Sequence, residues 1–283
     1  MNGKTCIITG ASDGIGLETA RRLGALGARL VLVGHNRGKG ETALARLRAQ
    51  LPGAAIEMRY ADLALRSEVV RVASELLRAA PRVDVLVNNA GAFFARRMVT
   101  PDGLEQTFAL NHMGYVVLTE LLLERLAASA PARIVNVASE AHRKAALDFA
   151  DLQCARSYSG WKAYQRSKLC NILFTRALAQ RLAGTGVTAN CLHPGFVATS
   201  FGDNNSGVVG FGIALAKRFS AISVAQGAET PVYVASAPAL EGITGRYFDK
   251  CKERAPSAAA QDEAAAARLW QESRALAGLP SDS

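Results

Sequence analysis

Tyr164 and Lys168 are the two residues of this sequence best suited to moving a proton. They lie four residues apart in an amphipathic segment, so a helix would place both side chains on one face. A free tyrosine has a pKa of about 10, and a neighbouring ammonium group favours the phenolate by Coulomb attraction. The spacing predicts an acid–base pair for a carbonyl or an alcohol, where a proton must move as charge develops on oxygen.

A glycine-rich turn near the start of the chain predicts a site for a dinucleotide. The turn follows a strand-like run and precedes a helix-like run. Glycine lets the backbone turn sharply and lets phosphate groups come close, and a helix N-terminus supplies free N–H groups and partial positive charge. We therefore assign a pyrophosphate to the turn that contains Gly10, Ser12, Asp13, Gly14, Ile15 and Gly16.

Apolar and amphipathic runs alternate along the chain and predict strands and helices in turn. Strands are expected at residues 5–9, 29–33, 55–60, 83–88, 132–138, 187–193 and 245–248. Helices are expected at residues 14–26, 38–51, 66–79, 112–128, 164–183 and 224–235. The alternation predicts one α/β domain over residues 1–283. It would be a Rossmann-type doubly wound domain, with a seven-stranded parallel sheet in the order 3-2-1-4-5-6-7 and helices on both faces.

Three segments do not follow this alternation. Residues 140–162 and 199–223 each follow the carboxyl end of a predicted strand, where open α/β sheets bind their ligands. Long loops in compact domains are usually functional, so we expect these two to form walls of a substrate pocket. The Ala-rich segment at about 257–277 is expected to form a terminal helix that packs its apolar face on the body of the protein.

Two features together resemble the short-chain dehydrogenase/reductase family. One is the glycine turn, in which three residues and then one residue separate the glycines, and the other is the later helix that carries Tyr164 and Lys168. The resemblance covers residues 4–279 and implies a catalytic set of Asn111, Ser139, Tyr164 and Lys168. Tyr164 would act as acid and base, and Lys168 would favour the phenolate and bind ribose hydroxyls. Ser139 would donate a hydrogen bond to the substrate oxygen, and Asn111 would hold a water that links Lys168 to solvent.

A second tyrosine and lysine pair, Tyr158 and Lys162, has the same spacing. Gly160 interrupts this pair, which lies in the irregular stretch before the predicted helix. We therefore expect Tyr164 to be the acid–base residue and Tyr158 to line the pocket.

The family resemblance also implies cofactor contacts at the ends of successive strands. These are Asp62 and Leu63 for adenine, the turn Asn89, Ala90 and Gly91 for a ribose, and Pro194, Gly195, Val197 and Thr199 for the nicotinamide. An acid after the second strand would bind the ribose 2′-hydroxyl and repel a 2′-phosphate. The residues there are His35, Asn36 and Arg37, so the sequence favours NADP(H) and leaves NAD(H) open.

Within the family, the chain resembles the retinol-dehydrogenase-like group. The segment from Arg133 to His142 resembles that group's fifth strand and the residues that follow it. The separation of Ser139 from Tyr164 is wider than in ordinary members of the family, as it is in that group. Aromatic residues on segments near the pocket favour an apolar aldehyde, ketone or alcohol as substrate; they are Phe93, Phe94, Tyr158, Trp161, Phe196 and Phe201. The alternatives are a non-catalytic dinucleotide-binding redox sensor and, less favoured, a Rossmann methyltransferase.

The composition limits the classes of molecule that the protein is expected to bind. The net charge is +9, but the basic residues are scattered and aromatic residues make up only 6%, which disfavours nucleic acid. No apolar run reaches the roughly 20 residues of a membrane span, and the five cysteines lack metal-ligand or redox-motif spacing. We expect a cytoplasmic enzyme without a bound metal or a membrane span. Leucine-rich helices after the fourth and fifth strands allow a homodimer or a homotetramer.

Overall fold

A single mixed sheet organises the computed structural model, which describes residues 1–195 and 222–279. Its strand order is β3-β2-β1-β4-β5-β6-β7-β8, and all neighbouring pairs are parallel except β7 with β8. The strands are β1 (Thr5–Thr9), β2 (Arg29–Gly34), β3 (Ile56–Tyr60), β4 (Val85–Asn88), β5 (Ala132–Val137), β6 (Val187–His193), β7 (Tyr247–Asp249) and β8 (Lys252–Glu253). The predicted doubly wound α/β fold is confirmed.

The eighth strand is an addition to the seven that the sequence predicts. It returns beside β7 through Lys250 and Cys251, whose φ angles of 50° and 58° are left-handed. Tight hairpins of this kind usually carry Asn or Gly at these positions. Because Lys and Cys occupy them here, the sequence gives no signal for this hairpin.

Helices cover both faces of the sheet. They are α1 (Gly14–Ala25), α2 (Arg37–Gln50), α3 (Arg66–Ala79), α4 (Gln106–Phe108), α5 (Gly114–Ala128), α6 (Gly160–Arg181), α7 (Val224–Gly227), α8 (Glu229–Ser236) and α9 (Glu263–Leu276). A π-helical turn, Ala109–Met113, joins α4 to α5. Within the described ranges, no helix is both long enough and apolar enough to cross a membrane.

Helix α6 begins one turn earlier than the sequence predicts. Its first residue is Gly160, and a Cβ added there would lie 2.3 Å from the carbonyl oxygen of Phe94. A glycine is therefore needed for the start of the helix to approach the loop after β4. The residue that looked like a helix breaker is the first residue of the helix, at the point of close packing.

Alternation along the buried strands divides the apolar core between the two faces of the sheet. Ile7 of β1 belongs to the cluster beneath α3, α5, α6 and α9, whereas Ile8 belongs to the cluster beneath α1, α2 and α8. Parallel sheets that are covered in this way leave their carboxyl-terminal edge open for ligands.

Buried polar side chains also fix the carboxyl ends of the two central strands. The Nδ2 group of Asn88 donates to Asn136 Oδ1 at 2.8 Å and to Thr119 Oγ1 at 2.9 Å. Asn136 in turn donates to Thr175 Oγ1 at 3.0 Å. Because an unsatisfied buried amide is costly, this chain of bonds holds β4 and β5 in one register against α5 and α6.

Helix α9 packs on α6 at the end of the chain and reaches the π-helical turn. Trp270 stacks on Phe174 with ring centroids 5.7 Å apart. Ser273 Oγ lies 2.9 Å from Nε2 of His112, and the other ring nitrogen of His112 lies 3.3 Å from Asn171 Oδ1. Burial lowers the pKa of His112 from 6.5 to about 4, so the ring is neutral at pH 7.

We expect His112 to make stability depend on pH. The folded ring stays neutral down to about pH 4, whereas the unfolded ring takes up a proton below about pH 6.5. Stability is therefore complete above pH 6.5 and is lost as the pH falls toward 4, by about 3 kcal/mol at most from this group. Urea unfolding at both ends of this range, for the wild type and for His112→Gln, measures the contribution.

Glutamine keeps one donor and one acceptor but does not titrate, so His112→Gln should lose less stability in acid than the wild type. The difference between the two proteins removes the contribution of every other titrating group. An identical pH dependence in both would show that this ring contributes nothing.

Candidate active site

The carboxyl ends of β1, β4, β5 and β6 surround a cavity of 760 Å³. Most of the predicted site residues line it: Gly10, Ser12, Asp13, Gly14, Ile15, Gly16, Asn89, Ala90, Gly91, Ser139, Tyr164, Lys168, Pro194 and Gly195. The fold therefore brings the glycine turn and the proposed acid–base pair to one cavity, although about 150 residues separate them in the sequence.

The glycine turn fits closely against the segment after β4. A Cβ on Gly16 would lie 2.3 Å from the Gly10 carbonyl oxygen and 2.5 Å from Asn89 Nδ2. Asn89 Nδ2 itself donates to the Thr9 carbonyl oxygen at 2.9 Å. Real Cβ atoms do not come that close to backbone, so this cradle requires glycine at position 16.

A threonine that the sequence reading did not single out completes this junction. Thr9 Oγ1 accepts hydrogen bonds from the backbone N–H groups of Asn89 at 2.9 Å and Ala90 at 3.0 Å. It is fully buried at the end of β1. The turns after β1 and β4 are therefore held together by a hydroxyl, and the position of Thr9 directly before Gly10 is the signal that could have found it.

The N-terminus of α1 points its first N–H groups into the turn. Asp13 is the N-cap, and its Oδ1 accepts from Gly14 N at 2.7 Å. Its other carboxylate oxygen lies 3.7 Å from the ammonium group of Lys39. The remaining free N–H groups and the helix dipole suit an anion such as a pyrophosphate.

Tyr164 lies between two other aromatic rings at the cavity. Trp161 stacks on it at 5.7 Å, and Phe93 meets it edge-on at 6.4 Å. Burial raises the pKa of Tyr164 to about 12, and a hydrogen bond with the Ser139 side chain acts in the opposite direction. Ser139 follows β5 and also accepts from Ala141 N at 3.2 Å. The two hydroxyl groups that the sequence selects therefore act on each other.

Lys168 is almost fully buried beneath Tyr164. Its Nζ donates to the Val137 carbonyl oxygen at 3.0 Å and lies 5.7 Å from the centroid of the Tyr164 ring. Burial lowers the pKa of Lys168 to about 7. Burial therefore opposes charge on both members of the pair. The Coulomb attraction expected from Lys168 depends on the ammonium form of the lysine, which burial disfavours.

Asn111 lies behind the cavity wall, in the π-helical turn, and its side chain connects the wall to α6. Its Oδ1 accepts from Ala92 N at 2.9 Å, and its Nδ2 donates to Ala92 O at 3.0 Å and to Ser167 Oγ at 3.1 Å. The wall that includes Gly91 is thus fixed from behind. The water that the family resemblance assigns to Asn111 stays a prediction. A π-helical turn at such a position is a frequent mark of a functional site.

A second cavity of 520 Å³ adjoins the first and shares Gly10, Ser12, Ala90, Gly91 and Ala92 with it. The predicted residues His35, Asp62 and Leu63 line it. A ligand that extends along both cavities would run from the end of β2 to Tyr164, which is the arrangement expected for a dinucleotide.

Arg37 and Asn36 are used differently from what the sequence suggested. The Arg37 guanidinium lies over the Tyr60 ring, 4.5 Å from its centroid. Asn36 caps α2 by accepting from Lys39 N at 2.9 Å. Lys39 lines the second cavity instead of either residue. The signal for Lys39 was its place in the first turn of α2, three residues after the cap.

The two predicted substrate loops differ in what the structure tells of them. Nearly all of segment 199–223 lies outside the described residues, and so do four predicted site residues: Phe196, Val197, Thr199 and Phe201. In segment 140–162, Trp161 lines the cavity and is half-exposed, at 51%. Tyr158 does not line it, because its hydroxyl donates to the Phe94 carbonyl at 2.9 Å and fastens the loop there.

His193 also lines the first cavity. It closes β6, directly before Pro194, and burial lowers its pKa. Its Nδ1 is buried and has no hydrogen-bond partner in ranges 1–195 and 222–279. In those same ranges, no group of three or more His, Cys, Asp and Glu side chains is arranged to hold a metal ion.

Comparisons with known proteins agree with this geometry. The family model described as short chain dehydrogenase matches residues 4–207. Retinol dehydrogenase 14 of Homo sapiens is 42% identical, and the alignment covers 99% of this chain and 88% of that protein. An uncharacterized protein from Mycobacterium Paratuberculosis has a similar structure, with a TM-score of 0.80 at 30% identity, over 100% of this chain and 96% of that one.

A structure that holds a coenzyme is also similar. It is a short chain dehydrogenase from Burkholderia cenocepacia in complex with NADP, with a TM-score of 0.70 at 25% identity. The superposition covers 92% of this chain and 99% of that one.

Proposed function

The chain belongs to the short-chain dehydrogenase family, in its retinol-dehydrogenase-like group, and is an NAD(P)-dependent oxidoreductase; we propose that it prefers NADP(H) and interconverts an apolar carbonyl compound and its alcohol. The observation that carries the proposal is the convergence of Ser139, Tyr164 and Lys168 with the glycine turn on one cavity. We further propose that the protein acts in the cytoplasm.

The two adjoining cavities fit a dinucleotide. The cradle at Gly10 and Gly16 has backbone where a Cβ would clash, and the N-terminus of α1 offers free N–H groups there for a pyrophosphate. Asp62 and Leu63 would bind the adenine end, and Lys168 would bind a ribose. When bound, the nicotinamide supplies or accepts the hydride, and the protein contributes orientation and electrostatics.

The residues of the chain would then handle the proton. The Tyr164 hydroxyl would give a proton to the carbonyl oxygen during reduction and take it from the alcohol during oxidation. Ser139 would donate a hydrogen bond to the same oxygen and stabilise its developing charge. The protonated ammonium group of Lys168, whose pKa burial lowers to about 7, would lower the pKa of Tyr164 by Coulomb attraction.

The surroundings of Tyr164 support an apolar substrate. Phe93 and Trp161 flank its ring, and Trp161 is half-exposed at the cavity. A relative at 42% identity carries the name retinol dehydrogenase, which denotes an apolar alcohol. A non-catalytic redox sensor would need the dinucleotide cradle but not Ser139 and Tyr164 in contact.

Tyr164→Phe tests the proposed acid–base role. Removing the hydroxyl removes the proton donor, so we expect kcat for carbonyl reduction to fall by about 10²–10⁴-fold. The dissociation constant for NADPH, measured by fluorescence titration, should change little. Tyr158→Phe is the matched control and should keep kcat within about threefold, because Tyr158 fastens a loop. A larger loss in the control than in Tyr164→Phe would reverse the assignment.

Lys39→Met tests the coenzyme preference. Lys39 lines the second cavity, so its loss should lower kcat/KM for NADPH by about tenfold and leave the value for NADH nearly unchanged. Arg37→Met is the control, because its guanidinium lies on Tyr60. A wild-type enzyme that prefers NADH, or a larger effect at Arg37, would refute the preference or its source.

Trp161→Ala tests the substrate class. The loss of an aromatic wall should raise KM for a long apolar aldehyde by about tenfold and leave KM for a short one almost unchanged. Lys162→Ala, at the exposed neighbouring position, provides the comparison. Steady-state kinetics with aldehydes of increasing length would decide. A preference of the wild type for small polar sugars would argue against an apolar substrate.

A further inference from the structure

Two buried histidines connect the C-terminal segment, residues 257–276, to the groups that carry the proposed chemistry. His112 lies directly after Asn111, and His142 lies three residues after Ser139. Both rings are fully buried. We propose that residues 257–276 position the active site through these two rings, an inference that rests on the proposed function. This C-terminal segment would then hold Asn111 and Ser139 in place without itself touching the substrate or the coenzyme.

The first connection runs through His112 and has one allowed direction. Asn171 Nδ2 lies 2.9 Å from the Asn111 carbonyl oxygen and must donate to it, so the Oδ1 atom of Asn171 faces His112. Because Oδ1 only accepts, the proton of the neutral imidazole is on Nδ1. The bare Nε2 then accepts from the hydroxyl of Ser273 at 2.9 Å. The bonds are therefore directed from α9 to His112 in the π-helical turn, from there to Asn171 of α6, and back to the turn at Asn111.

This connection ends at the Val137 carbonyl group, which also accepts the hydrogen bond of Lys168. Asn171 Nδ2 also donates to the Val137 carbonyl oxygen at 3.4 Å, and Lys168 Nζ donates to that same oxygen at 3.0 Å. Asn171 and Lys168 are less than one helical turn apart on α6. A shift of Asn171 would therefore weaken its bonds to two backbone carbonyl groups, one of which is the acceptor of the Lys168 ammonium group.

The second connection runs through His142 and reaches Ser139. The Nδ1 atom of His142 lies 2.7 Å from the Ser139 carbonyl oxygen and must donate to it. Its Nε2 accepts from the backbone N–H of Ser257 at 3.1 Å. A peptide N–H cannot accept, so this ring also has to be neutral and in a single tautomer. The backbone of Ser139 is thus held to the start of the C-terminal segment.

Directed polar bonds do more than hold a helix in place. Apolar packing and ion pairs already hold α9. Trp270 stacks on Phe174, and Arg274 and Glu263 of the helix pair with Glu120 and Arg176. Those contacts touch none of the proposed catalytic groups. A buried network in which each bond has one allowed direction fixes orientation more sharply than apolar packing does. The two kinds of contact can therefore be separated by mutation.

Ser273→Ala removes the bond between α9 and the His112 ring. Glu120→Gln is the matched control, since it weakens a polar contact that α9 makes away from both histidine rings. We expect Ser273→Ala to lower kcat by about tenfold with little change in NADPH affinity. Glu120→Gln should lower Tm at least as much and leave kcat unchanged. His112→Gln should keep more kcat than His112→Leu, because only Gln supplies both a donor and an acceptor. Equal kcat in Ser273→Ala and the wild type, or parallel losses of kcat and Tm in both variants, would overturn the proposal.

A readout without substrate separates this proposal from the proposed function. The pKa of Lys168 is about 7 because the group is buried, and loosening its surroundings admits water. The NMR signal of its Cε, assigned with Lys168→Met and followed against pH, should show a pKa raised by about half a unit or more in Ser273→Ala. Glu120→Gln should leave it unchanged. If the wild type reduces no carbonyl compound, the proposed function fails, whereas an unmoved Lys168 pKa in Ser273→Ala refutes the positioning role.

Discussion

The hydrogen bond from Lys168 Nζ to the Val137 carbonyl oxygen is the contact on which the candidate site depends. It holds a side chain that is 4% exposed at the end of β5, close below the Tyr164 ring. The same burial that fixes the ammonium group lowers its pKa to about 7. Burial therefore disfavours charge on both members of the acid–base pair, because an unpaired buried charge is costly.

The architecture explains why such a lysine is available at one edge of the sheet. Helices cover both faces of the parallel strands, and the turns at the carboxyl ends of the strands line the two adjoining cavities. Those turns are joined across the sheet by polar side chains, such as Thr9 with the backbone of Asn89 and Asn111 with that of Ala92. Each of these bonds satisfies a partly buried backbone group and at the same time shapes the cavity wall.

Buried neutral histidines extend this arrangement to the end of the chain. His112 and His142 each use one nitrogen as a donor and the other as an acceptor, which a charged imidazolium cannot do. Burial lowers the pKa of both rings, so both are neutral at pH 7. A fold that relies on neutral imidazoles loses stability in acid. The neutral state of these two rings therefore supports both the geometry of the active site and the stability of the fold.

By itself, the sequence determined the doubly wound fold and the residues that meet at its carboxyl edge. Local signals were enough for this: glycine spacing before a helix, apolar strands at regular intervals, and a tyrosine four residues before a lysine. Tertiary structure alone decided which cation faces the second cavity, since Lys39 lines it and Arg37 lies on Tyr60. It also decided that Gly160 begins a helix, that Tyr158 fastens a loop, and that Ser273 reaches His112 from 161 residues away. These outcomes depend on close contacts between segments distant in sequence, and neither periodicity nor residue type encodes which distant groups will meet.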